Sequence, residues 1–107
     1  MSEQITEQLR QVISTALDQS DSVVISEILE KVNAAQIADI LDSTPSAQRE
    51  LIWPQVYPEN LGQVLLETGD EVREQQLHLL TPQQISEIVD TLPDLDDQAD
   101  LIMSLPP

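Results

Sequence analysis

Apolar residues recur along this chain at intervals of three and four, in runs of about ten residues broken by proline, glycine or short polar residues. Residues 5–18 set Ile5, Leu9, Val12, Ile13, Ala16 and Leu17 on one stripe, which predicts a first helix. Residues 21–32 repeat the pattern, with Ser20 or Asp21 as N-cap. Asn33 then caps a third helix carrying Ile37, Ile40 and Leu41. Thr44-Pro45 opens a short fourth helix, because proline is well tolerated in a first turn, and Pro54 and Pro58 bracket a bend that ends it near Trp53. A fifth helix spans residues 59–68, with Gly69 as its C-terminal stop. Asp70 caps a sixth, running through Val72, Gln76, Leu77 and Leu80. Thr81-Pro82 opens a seventh with Ile85, Ile88, Val89 and Leu92, and Pro93-Asp94 stops it and begins an eighth. That last helix has an apolar stripe of Leu95, Ala99, Ile102 and Met103.

Helices this short do not persist alone in water, so they must be held by packing on their neighbours. An internal echo suggests how. Residues 36–45, from Gln36 to Pro45, line up with residues 84–93, and with a two-residue insertion Leu51-Ile52 matches Leu101-Ile102. A helix–proline–helix unit that returns after about fifty residues predicts a stack of helix pairs, an α-solenoid-like superhelix.

Composition agrees. Apolar residues make up 40% of the chain, yet aromatics only 2%, so a core must be built from Leu, Ile, Val and Ala. That favours helix-on-helix packing, and with two glycines the chain lacks the turn residues of a β-rich fold. A length of 107 residues fits one all-α domain over residues 1–107.

Charge narrows the partners. Twenty acidic residues against four basic ones give a net charge of −16. Nucleic acid and anionic membrane surfaces both require clustered Lys and Arg, and are excluded. A basic protein surface, metal ions or solubility alone remain as reasons for the acidity. There is no cysteine, hence no disulfide framework and no thiolate metal site. The first residues lack the features of a signal peptide, and no apolar run reaches the roughly 20 residues of a membrane span. These features predict a soluble chain and agree with a reducing compartment.

No nucleophile–base pair or phosphate loop is visible, so the sequence points away from an enzyme. His78 is the only histidine, set on a predicted helix with no catalytic partner. Trp53 and Tyr57 flank the double-proline bend and read as core plugs with wet polar ends. The acidic stretch Asp94-Leu-Asp-Asp-Gln-Ala-Asp100 carries more chemistry. On a helix Asp96, Asp97 and Asp100 fall three or four apart with no Lys or Arg nearby, and mutual repulsion must be relieved by water, a basic partner or a hard cation. The helix macrodipole alone also favours acidic residues in a first turn. Mg²⁺ takes oxygen ligands, keeps several waters and usually meets one or two carboxylates per protein element. A single helix therefore supplies only part of a site, with the remainder on another domain.

The successive short helices, and above all Leu95-Asp-Asp-Gln-Ala-Asp-Leu101, resemble the cytosolic N-terminal domain of MgtE-type magnesium transporters, whose signature is Asp-Asp-x-Ala-Asp-Leu. The similarity runs from about Leu9 onward. It implies a right-handed superhelix of short helices, followed in the full transporter by CBS domains, a plug helix and a pore within a homodimer. It implies further that Mg²⁺ bound between acidic faces of this domain and the CBS domain holds the pore closed. Its ligands here would be Asp96 and Asp100, with Asp97 beside them. Another acidic ligand of some relatives aligns with Gln63, and Glu67 one turn on is the acidic residue available in its place. The chain then reads as the regulatory fragment of a longer transporter, with no membrane insertion of its own. The rival expectation is a metal-free helical adaptor, related in architecture to flagellar motor-switch domains and binding a partner near Trp53 and Tyr57.

Overall fold

A computed structural model describes residues 7–105. Eight α-helices fill them: α1 Glu7–Asp18, α2 Ser22–Glu30, α3 Ala34–Asp42, α4 Ser46–Ile52, α5 Pro58–Glu67, α6 Asp70–Leu79, α7 Pro82–Asp90 and α8 Leu95–Met103. One 3-10 turn, Trp53–Gln55, extends α4, and no strand occurs among the described residues. Ile5, assigned to the first stripe, lies outside them.

The starts of these helices are written in the sequence. α3 and α7 both open with a capping box: the side chains of Asn33 and Thr81 accept from the N–H groups of Gln36 and Gln84, whose side chains accept in return from the cap backbone. Asp21 caps α2 and Asp94 caps α8. α1 ends instead on Ser20 in the left-handed region, φ 53°. The Asp21 and Ser20 N–H groups donate to the carbonyls of Ala16 and Leu17, the two bonds of a Schellman motif.

Three local expectations are corrected. Gly69 does not stop α5 in a left-handed turn: its φ is −65°, it stands at the N-cap of α6, and Asp70 is the first helical residue rather than the cap. Thr44 does not serve α4, whose N-cap is Pro45; its hydroxyl donates back to the Ile40 carbonyl at 2.6 Å, where it is buried. Tyr57 is no core plug. It is 45% exposed, and its hydroxyl donates to the Glu30 carboxylate, whereas Trp53 is buried as expected.

The echo resolves into a shorter and stricter repeat. Leu17, Leu41, Leu65 and Val89 are spaced 24 residues apart, and all four are buried. The same spacing joins Ala16, Ile40, Val64 and Ile88 on the first helix of each pair, and Leu29, Trp53, Leu77 and Leu101 on the second. No insertion is needed, since Leu101 falls in register with Trp53. The chain is thus four helix–turn–helix units, α1–α2, α3–α4, α5–α6 and α7–α8. α3 packs on α5, α5 on α7, and α2 on α4. A column of small residues, Ser14, Ala38, Gly62 and Ser86, runs through the first helices at the same spacing. At Gly62 a Cβ would stand 2.9 Å from Leu92 side-chain carbons and 3.2 Å from the Ile88 carbonyl oxygen, so glycine is what lets α5 and α7 approach. One continuous apolar cluster extends from Ile13 to Leu101.

Polar ties join the units at their edges. Arg10 pairs with Asp39 at 2.8 Å and donates to Ser43, the Asp42 carboxylate accepts from the Gly69 N–H, and Arg73 donates to Ser104. Two arginines also recur in register. Arg49 Nε donates to the Leu41 carbonyl at 3.0 Å and Arg73 Nε to the Leu65 carbonyl at 2.8 Å. Each adds a second donor to a carbonyl in the last turn of the first helix of its own unit, beside the Thr44 N–H at Leu41 and the Thr68 hydroxyl at Leu65.

Candidate functional site: the outer face of α8

α8 is anchored by a residue outside the predicted stripe. Leu101 is fully buried, while Leu95, Ile102 and Met103 are 78%, 51% and 84% exposed. The stripe exists, but it points away from the body. Asp97 and Gln98 on the inner side are half-buried, and Leu101 and Leu105 complete that contact against α5 and α7. Helical geometry explains the choice, since Asp97, Leu101 and Leu105 are four apart whereas Leu95 and Met103 stand nearly opposite.

This rotation sorts the aspartates. Asp96 and Asp100, one turn apart, are both exposed and flank the outward stripe of Leu95, Ala99 and Met103. Asp97 leans toward the body. Asp94 is committed to the cap, with Oδ1 accepting from the Asp96 N–H at 2.8 Å. None of these four joins an ion pair; those among the described residues are Arg10–Asp39 and Arg73–Asp70, the latter at 4.0 Å. The three side chains grouped by spacing therefore divide into an exposed pair and a half-buried neighbour.

The 24-residue register gives Asp97 a distinct meaning. It occupies the place that Arg49 and Arg73 hold in the second and third units. In the third unit Arg73 Nη2 also donates to the Thr68 carbonyl at 2.8 Å. In the fourth, the equivalent carbonyl of Leu92 accepts instead from Gln98 Nε2 at 2.7 Å. The last unit has thus exchanged a carbonyl-tying cation for a carboxylate, and an amide does part of the arginine's work. Arg73 meanwhile fixes α8 from the other side, reaching the Ser104 hydroxyl at 3.0 Å, while Ser104 donates to the Asp100 carbonyl.

Glu67 and Gln63 lie one turn apart on α5, which packs on α8. Gln63 is half-buried, Glu67 is exposed, and Gln63 Nε2 donates to the Glu67 carboxylate at 3.3 Å. The two residues are thus coupled, but they do not join the α8 carboxylates in one cluster. Among the described residues no three His, Cys, Asp or Glu side chains come together as a metal-holding group. The donor set still suits a hard cation in part: two exposed, unpaired carboxylates one turn apart are what Mg²⁺ accepts from a single protein element.

His78 is exposed on α6. Of the titrating groups, Tyr57 stands apart: its hydrogen bond to Glu30, with some desolvation and the charges of Glu30 and Glu59, pushes the phenol above its ordinary value of 10.0. It lies away from α8, near the bend that opens α5. Sequence reasoning missed Arg73 as the residue that fixes α8, and the signal that would have found it is the spacing to Arg49.

The family model for the MgtE intracellular N domain matches residues 32–107. The chain belongs to this family. The match takes in α3 to α8, three of the four helical units, and includes both the acidic helix and the arginine that fixes it. MgtE N domains are non-catalytic parts of magnesium transporters. Comparisons with curated proteins and with solved structures gave no match. No helix among the described residues is long and apolar enough to cross a membrane.

Proposed function

We propose that this MgtE N domain is the Mg²⁺-sensing element of a longer transporter, and that α8 is its sensing surface. The observation that carries the reading is the pair Asp96 and Asp100, exposed on one face of α8, free of ion pairs, and set beside exposed Leu95 and Met103. Large apolar side chains next to unneutralised carboxylates are what a face needs if it docks only under a condition. Asp96 and Asp100 would hold Mg²⁺ on this face, its double charge would offset their repulsion from an acidic surface of the neighbouring CBS domain, and the apolar stripe would then be covered. Without it, like charges repel and the domain swings away, releasing the pore. Asp97, half-buried beside the pair, raises the local negative potential, and Glu67 on α5 supplies a second, flanking acidic contact.

In this reading the four units form a right-handed superhelical stack on the cytosolic side of a homodimeric transporter. Mg²⁺ supplies a double positive charge and a demand for oxygen ligands, and everything else is done by the chain. Leu101 and Arg73 set the rotation of α8, and that rotation decides which carboxylates face outward.

The isolated domain holds only part of the ligand set, so its affinity falls in the millimolar range. At ten times the dissociation constant, binding adds about 1.4 kcal/mol to stability. Thermal melts in chelator and in excess Mg²⁺ test this. The parent chain gains a small, saturable stabilisation, and Asp96→Asn/Asp100→Asn loses it. Equal responses in the two proteins would remove α8 as the site.

A further inference from the structure

A second surface lies apart from α8, between α4 and α6. It is a groove of about 380 Å³. One wall is formed by Ala47, Glu50 and Trp53, the other by Val72, Gln75 and Leu79. Ala47, Glu50 and Trp53 are three apart, and Val72, Gln75 and Leu79 three and four apart, so each wall spans about two turns, roughly 10 Å at 1.5 Å per residue. An amphipathic helix with two successive apolar anchors matches such a trough.

The repeat explains why the groove occurs here. The column that holds leucine at Leu29, Leu77 and Leu101 holds the larger Trp53 in the second unit, and Trp53, though only 8% exposed, lines the groove. Leu79, the last residue of α6, stands 70% exposed at the rim.

Charge decides the occupant. All three arginines are engaged within the chain. Arg10 is bound to Asp39 and Ser43, Arg49 to Gln75 and the Leu41 carbonyl, and Arg73 to Ser104 and the carbonyls of Leu65, Leu66 and Thr68. Arg49, which lines the groove, is held by the Leu41 carbonyl and the Gln75 amide oxygen, and Glu50 in the same lining offsets its charge. Glu50, Glu71 and Glu74 are exposed on the two helices, within a net charge of −16. We propose that the α4–α6 groove docks a basic amphipathic helix of a protein partner, with apolar anchors against Trp53, Val72 and Leu79 and its Lys or Arg side chains toward the flanking glutamates. This surface does not involve Asp96 or Asp100, so it stands or falls independently of the Mg²⁺ reading.

Trp53 is the only tryptophan, so its fluorescence reports the groove directly. The probe is a synthetic amphipathic helix of leucine and lysine, with a leucine–glutamate helix of the same pattern as control. The lysine helix shifts the Trp53 emission saturably, more weakly as salt rises, and the glutamate helix does not. Leu79→Glu weakens this by roughly tenfold or more although it adds negative charge, Ala47→Leu weakens it by filling the trough, and Leu95→Glu on α8 leaves it unchanged. An unmoved emission, Leu79→Glu binding as tightly as the parent, or an equal loss in Leu95→Glu would overturn the proposal. So would neutral lipid vesicles that shift Trp53 as the peptide does, which would make the surface a membrane contact instead.

Discussion

Arg73 reaches back eight residues to donate from Nε to the Leu65 carbonyl at 2.8 Å, as Arg49 does to Leu41 one unit earlier. Helix ends leave carbonyls without intrahelical partners, and a guanidinium with several donors in a plane can serve more than one of them. Arg73 does this for three backbone carbonyls and also binds Ser104, with only 16% of its side chain exposed. Replacing it by Met removes charge-assisted bonds while keeping most of the stem. Denaturant unfolding followed by circular dichroism should show a loss of about 2–3 kcal/mol. Arg49→Met, with one carbonyl and one amide partner, should lose less.

Gly62 makes a sharper prediction about packing. The Cβ of Gly62→Ala enters at 2.9 Å from the buried Leu92 side chain and 3.2 Å from a backbone oxygen, so α5 and α7 must separate. Overpacking of this kind typically costs about 1–3 kcal/mol, against roughly 1 kcal/mol gained in helix propensity. The net outcome is destabilisation in a denaturant titration. Gly69→Ala, whose Cβ meets Asp42 at an ordinary 3.7 Å, changes stability far less.

Ser20 carries the one positive φ among the described non-glycine residues. A side chain there costs about 1 kcal/mol relative to a residue without a Cβ. Ser20→Gly relieves that strain but adds freedom to the unfolded chain, so the gain is a few tenths to about 1 kcal/mol. A raised thermal midpoint is the expected readout.

Tyr57 is the only tyrosine, so an ultraviolet absorbance titration reads it alone. The hydrogen bond to Glu30 leads the causes that lift its pKa above 10.0, and the midpoint should lie there. Because the folded chain favours the protonated phenol, this contribution to stability is present below pH 10.0 and lost as pH rises through the folded value. Glu30→Gln should bring the midpoint back down.

Helix placement was legible because its signals are local: Asn33 and Gln36, Thr81 and Pro82, and Asp94 each act within one turn. The inward face of each helix was harder to read. Leu95, Ile102 and Met103 make as good a stripe as Asp97, Leu101 and Leu105, and only the neighbours α5 and α7 choose between them. The repeat was half seen, as its doubled length, because the units share positions rather than residue types. Arg49 and Arg73 become Asp97, and Thr44 and Thr68 become Leu92. Gly69 misled because its composition suits a left-handed stop, whereas the Asp42 carboxylate holds its N–H in an extended turn. At the candidate site the residue types were readable, but the separation of Asp97 from Asp96 and Asp100 follows from how α8 is seated.

The most direct test of that seating and its purpose uses Mn²⁺ as a paramagnetic stand-in for Mg²⁺ in amide-resolved NMR of the chain. The account predicts that broadening centres on the amides of α8 around Asp96 and Asp100. Excess Mg²⁺ should reverse it, and Asp96→Asn/Asp100→Asn should abolish it. Broadening spread evenly over the acidic surface, or surviving unchanged in that double variant, would contradict it.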